Sequence, residues 1–149
     1  MSARITTTTR AIPVLMSLLL TAHASTTNRN YRKLPCKTPA LASSCIHIHG
    51  RLWQGNGSPS TRLWQIGTHH IFGIYTNQYG FIHDPETTDN EAPSLPENIQ
   101  RERDRQPKGF PYLQDIYADF DVCPLEPHIQ GNMQAACIDS ATHLFSPKE

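Results

Sequence analysis

Residues Arg51–Gln65 read RLWQGNGSPSTRLWQ, and the tetrapeptide RLWQ occurs in them twice, beginning at Arg51 and again at Arg62. Between the copies, Asn56-Gly57-Ser58-Pro59 supplies turn chemistry. Taken as a four-residue hairpin loop, this stretch sets Leu52 opposite Leu63, Trp53 opposite Arg62 and Arg51 opposite Trp64. The leucines then meet on one face, and on the other each tryptophan faces an arginine. Cross-strand pairs of this kind contribute roughly 0.2–1 kcal/mol each, and a guanidinium over an indole adds about 0.5–1 kcal/mol at an exposed site. A one-residue slip would put Leu52 against Trp64 and mix the two faces, which is costly where one face is buried. The doubled tetrapeptide is therefore one self-complementary hairpin and not an internal repeat.

Strand patterning extends outward from this hairpin. From Cys45 the period is two: Ile46, Ile48 and Leu52 fall on one side, and His47, His49, Arg51 and Trp53 on the other. Downstream, Thr61–Thr68 and His70–Tyr75 are β-rich, with Gly67 and Gly73 marking bends or bulges. In that register His47 and His49 lie opposite Thr68 and Ile66, and His70 faces Cys45. Alternation returns at Ile116–Cys123, and Met133–Ala141 forms a last strand. The insertion His83–Pro111 is Pro-rich and charged, and its mixed charges read as a solvated face. Within it Ser94-Leu95-Pro96-Glu97 fits a capping box for a helix over Leu95–Asp104, with Leu95 and Ile99 inward one turn apart. Five strands, one short helix and no βαβ spacing predict an all-β fold. The expected architecture is a small five-stranded, OB-like barrel or sandwich, with the helix between the third and fourth strands.

The N-terminus has another character. Arg4 and Arg10, the apolar run Ala11–Leu20 and the ending Ala22-His23-Ala24 form a secretory signal pattern over residues 1–24. The run is shorter than the roughly 20 residues of a membrane span. The expectation is an exported protein, periplasmic or secreted, with no membrane span once the signal is cleaved. Residues 25–44 read as an extended arm held by Cys36, and residues 45–149 as a single disulfide-stabilised β-domain with residues 83–111 inserted. Without Arg4 and Arg10, eleven basic residues face thirteen acidic ones, a net charge of −2. That balance offers no footprint for duplex nucleic acid.

Cys36, Cys45, Cys123 and Cys137 all follow the signal segment, and an even count in an exported chain reads as two disulfides. Spacing leaves the connectivity open. Cys36–Cys45 with Cys123–Cys137 is favoured because both bridges close short loops, and a pairing of Cys45 with a C-terminal cysteine is the alternative.

Three stretches together, Gly50–Thr68 (GRLWQGNGSPSTRLWQIGT), Asp119–Pro124 (DFDVCP) and Met133–Ala141 (MQAACIDSA), resemble a family of small exported bacterial proteins of unassigned function. The resemblance implies a compact disulfide-bearing domain in the cell envelope, and it carries over no catalytic residue.

Three constellations could carry chemistry. His47 and His49, at i and i+2 on one strand face, with His69 and His70 nearby, could hold Zn or Cu; the bland reading is exposed strand and loop histidines. Asp119, Asp121 and Asp139 form an acidic group: a last hairpin with Cys123 opposite Cys137 sets Asp121 against Asp139, an unfavourable like-charge pair. That clash means a wrong register, a bound cation or a shared proton. No nucleophile elbow, phosphate loop or dinucleotide fingerprint is present, and the expectation leans away from an enzyme. The third constellation is the face formed by Arg51, Trp53, Arg62 and Trp64, which suits stacking on rings or anchoring a partner. Its bland alternative is a small second core under the 83–111 insertion. The leading expectation is a non-enzymatic binding or interaction module of the cell envelope with no cofactor, whose partner is an envelope protein or a glycan. The alternative is a histidine-based Zn- or Cu-binding envelope protein.

Overall fold

The structure, a computed structural model, describes residues 36–83, 92–106 and 115–147. The expected signal segment, and the arm as far as residue 35, lie outside the described residues.

Five strands, β1 (Ile46–Gln54), β2 (Thr61–Gln65), β3 (Ile71–Ile74), β4 (Ile116–Pro124) and β5 (Gln134–Phe145), close into a barrel in the order β1-β2-β3-β5-β4, with β4 returning to β1. All pairings are antiparallel except β3 with β5. Among the described residues, two short helices, α1 (Gln78–His83) and α2 (Glu97–Arg105), lie in sequence between β3 and β4. This is the expected all-β, OB-like barrel, with one helix more than expected.

The hairpin has the register that its sequence implies: Leu52 pairs with Leu63, Trp53 with Arg62 and Arg51 with Trp64. Gly55 N–H donates to Ser60 O (2.9 Å), which leaves Asn56–Pro59 as the four-residue connection. Gly73 is not a bulge. A Cβ there would stand 2.5 Å from Pro59 Cγ, so the missing side chain is what lets the hairpin loop rest on β3. Gly67, at φ +83°, does form a bend between β2 and β3. That bend also ends β2 at Gln65, so the expected opposition of His47 to Thr68 and of His70 to Cys45 does not occur. The ladder instead closes with Ile66 N–H on His49 O (3.1 Å), and His70 O accepts from Gln65 N–H (3.1 Å).

Every strand turns an apolar row inward, and Leu52, Leu63, Phe72, Ile74, Ile116, Phe120, Val122 and Ile138 are fully buried. Each such side chain contributes roughly 1.5–3 kcal/mol by leaving water. Leu95 and Ile99 join the same core, and Asn98 Nδ2 donates to Ala141 O on β5 (2.6 Å). The described part of the insertion thus packs into the barrel and onto β5. It does not form a second core with the Trp–Arg face.

The capping box is not made. The helix starts at Glu97, and Pro96 takes the N-cap position in extended conformation without a side-chain cap. A proline drives the residue before it out of helical geometry, so Leu95 cannot begin the turn. Ser94 N–H bonds Thr76 Oγ1 instead (2.8 Å), and Glu97 reaches forward to Arg101. The unexpected α1 does have a side-chain cap: Asn77 Oδ1 accepts from Gly80 N–H (3.1 Å).

Cys123 and Cys137 are directly opposite on β4 and β5, yet they are not joined to each other. The bridges are Cys36–Cys137 and Cys45–Cys123, with Cα–Cα distances of 5.8 and 4.0 Å, which corrects the short-loop pairing. Ladder neighbours are already held together by the strands. Bonds to Cys36 and Cys45 instead staple the arm across β4 and β5, closing separations of 101 and 78 residues, and longer closures remove more entropy from the unfolded chain. Leu41 and Leu125 pack around this sulfur cluster.

Candidate functional site

The outward rows of β1 and β2 carry the Trp–Arg face, and all four side chains are half-buried. The opposition expected of them is present in the backbone, but the cation–π partner differs. Arg51 Cζ lies 5.6 Å from the Trp53 ring centroid, two residues along the same strand, and its Nε approaches Asp115 Oδ2 to 2.8 Å as a contact ion pair without hydrogen-bond alignment. Arg62 is bound to the hairpin loop, donating from Nε to Pro59 O (3.1 Å) and from Nη2 to Asn56 O (2.6 Å). Loop carbonyls that need donors outcompete an exposed indole face for the guanidinium.

Trp64 is fixed from the other side. Its Nε1 donates to Thr68 O (2.7 Å), while Thr68 Oγ1 donates to Gln65 O (2.8 Å) and accepts from His70 N–H (3.0 Å). A rigid β2–β3 turn therefore stands beside the tryptophans. Arg51, Trp53 and Trp64 line a hollow of about 390 Å³ with Thr68, His69 and Ile71. Those last three also wall a second hollow of about 530 Å³, which runs past Arg62 and His70 to the β4–β5 loop at His128 and Asn132. The two hollows share that wall and together form a grooved surface beside the β2–β3 turn.

Within that groove the His70 ring lies between Phe72 and His128, with centroids 4.1 and 4.3 Å away. Burial, and secondarily His128, push the His70 pKa down, against the opposing effect of the Gln134 side chain. His69 is exposed at the turn.

His47 and His49 serve elsewhere. They pair with β4, where His47 Nδ1 meets Asp121 Oδ1 and His49 Nδ1 meets Asp119 Oδ1, both at 2.9 Å. The four histidines that sequence reasoning grouped are not brought into one ligand set. Among the described residues, no three His, Cys, Asp or Glu side chains are placed to share a metal ion.

The acidic group resolves through two irregularities in β5. Val122 pairs with Ile138 but Asp121 pairs with Ser140, so Asp139 is the extra residue of a bulge and does not face Asp121. Ser140 Oγ donates to Asp121 Oδ2 (2.5 Å), and Asp139 Oδ1 accepts from Lys37 N–H in the arm (2.9 Å). A second shift lies between the Asp119 and Tyr117 pairings, where His143 has φ +53° and brings its Nδ1 2.9 Å from Asp119 Oδ2. Hydrogen bonds from Ser140 and His47 hold the Asp121 carboxyl below its usual range, and those from His49 and His143 do the same for Asp119. In the Ser140–Asp121–His47 set the carboxylate is in the middle. Ser140 therefore donates to a carboxylate and not to an imidazole, which differs from the Ser–His contact of an activated serine.

Sequence reasoning missed His128 and His143. Pro127-His128, in a polar loop at one end of the groove, carried no period. His143 lies beyond the expected end of the last strand at Ala141.

The five strands and two bridges define a small, disulfide-stapled β-barrel of OB-like topology with two tryptophans on its outer face. Comparison with protein-family models, curated proteins and solved structures finds no match to the chain.

Proposed function

We propose that this protein is an exported, non-enzymatic binding module of the cell envelope, periplasmic or secreted, which takes an envelope protein or a glycan on its Trp–Arg face. One observation carries the reading: Trp53 and Trp64 line a groove that continues past the β2–β3 turn to the β4–β5 loop. OB-like barrels bind oligonucleotides and oligosaccharides on the corresponding strands and loops. The two disulfides fit an oxidising compartment, and the signal pattern of residues 1–24 supplies the route.

The test is retention of envelope material on the immobilised protein and on its Trp53→Ala/Trp64→Ala variant. Retention by the wild type and its loss in the folded variant are expected. Equal retention by both would remove the tryptophans from the function.

A further inference from the structure

We propose that the groove takes an acidic oligosaccharide, a short sugar chain bearing carboxylate or sulfate groups. This rests on the binding reading above and names its ligand class. The tryptophans offer flat apolar platforms of the kind on which sugar rings stack. The polar walls are one-sided in charge. Arg62 is a donor-only cation in the larger hollow, and no Asp or Glu is among the described residues that line either hollow. Thr68, Gln130 and Asn132 both donate and accept, as sugar hydroxyls do. A fixed guanidinium beside them suits a sugar that also bears carboxylate or sulfate, because charge-assisted bonds to those groups are the strong ones.

The charge balance agrees. Arg62 is held by two neutral carbonyls, so its position is fixed and its charge uncompensated among the described residues. The groups facing one another across the larger hollow are Arg62 from β2, His69 and His70 from the β2–β3 turn, and His128 from the β4–β5 loop. Arg51, in the smaller hollow, is paired with Asp115. A nucleic-acid strand presents a phosphate at every nucleotide and is held by rows of Lys and Arg. Here Arg62 is the one arginine of the larger hollow, and no Lys is among the described residues that line either hollow.

The chain has two tryptophans and both line the groove, so intrinsic fluorescence reports on it alone. The probes are tetragalacturonate, its full methyl ester and an oligothymidylate, each titrated at low and at high salt. Saturable quenching by tetragalacturonate is expected, about tenfold tighter than by the ester, the worth of one charge-assisted hydrogen bond. Added salt should weaken the acid more than the ester. An ester that binds as well as the acid, or an oligothymidylate that binds more tightly, overturns the acidic-sugar assignment and leaves the groove as a binding site. No saturable response to tetragalacturonate also overturns the assignment, and envelope retention that depends on the tryptophans then shows whether the groove reading survives.

Discussion

His49 on β1 and Asp119 on β4 are register partners whose side chains also meet, Nδ1 to Oδ1 at 2.9 Å. One rung further along, His47 and Asp121 repeat the contact. These pairs stitch the seam where β4 returns to β1, on an exposed face apart from the groove. The histidines that looked like metal ligands in the sequence are, in the fold, the partners of two aspartates.

That arrangement predicts an acid limb in stability. Asp119 and Asp121 have folded-state pKa values below their ordinary ones because His49, His143, Ser140 and His47 hydrogen-bond them. Their contribution is complete above the unfolded carboxylate pKa of about 3.9 and is lost as pH falls through the lower folded values. Urea midpoints recorded downward from about pH 5 should fall more steeply for the wild type than for Asp119→Asn/Asp121→Asn. Parallel curves would mean that these contacts contribute nothing.

Disulfide mapping without reductant should recover Cys36 joined to Cys137 and Cys45 joined to Cys123. Replacing Cys45 and Cys123 together by Ala should cost about 2–4 kcal/mol, since that bridge closes a long loop. A peptide joining Cys123 to Cys137 would refute the connectivity.

Gly73→Ala should destabilise by about 1–3 kcal/mol, because the added methyl would meet Pro59 at 2.5 Å, too close without moving the hairpin loop. Gly131→Ala has open space around it and is strained only by its backbone, at φ +86°, so the two substitutions separate crowding from conformation. Chemical denaturation of both measures the difference.

Ile99→Ala should cost about 2–5 kcal/mol although Ile99 belongs to a segment that reads as a polar insertion, because its side chain is fully buried in the barrel core. A change below about 0.5 kcal/mol, the size typical of surface positions, would place α2 outside the core.

The hairpin was legible because its signal is redundant. Leu52 with Leu63 inward and Trp53 with Trp64 outward allow one register alone, and the turn residues agree with it. The five-stranded barrel class and the helix position followed from the strand count and the spacing. The bulges at Asp139 and near His143 were not legible, since Gln134–Phe145 carries no clean alternation against which an extra residue would show, and the contacts with Lys37 and Asp119 that accompany them are long-range. The disulfide partners depend on how the arm crosses the sheet, which no local pattern encodes. Arg62 binds the hairpin loop because carbonyls 59 and 56 needed donors, a demand that appears only once the loop is folded. The groove itself joins β1–β3 to the β4–β5 loop, and only barrel closure brings His128 to its wall.

The central claim is that one face of the Arg51–Gln65 hairpin folds the protein and the other binds. Thermal melts of Leu52→Ala/Leu63→Ala and of Trp53→Ala/Trp64→Ala compare the two faces of adjacent rungs on the same strands. The account predicts that the leucine pair is far more damaging, with about 2–5 kcal/mol lost at each site, while the tryptophan variant stays folded at 37 °C. A tryptophan variant that melts as low as the leucine variant, or lower, would contradict it and make the indoles part of the core.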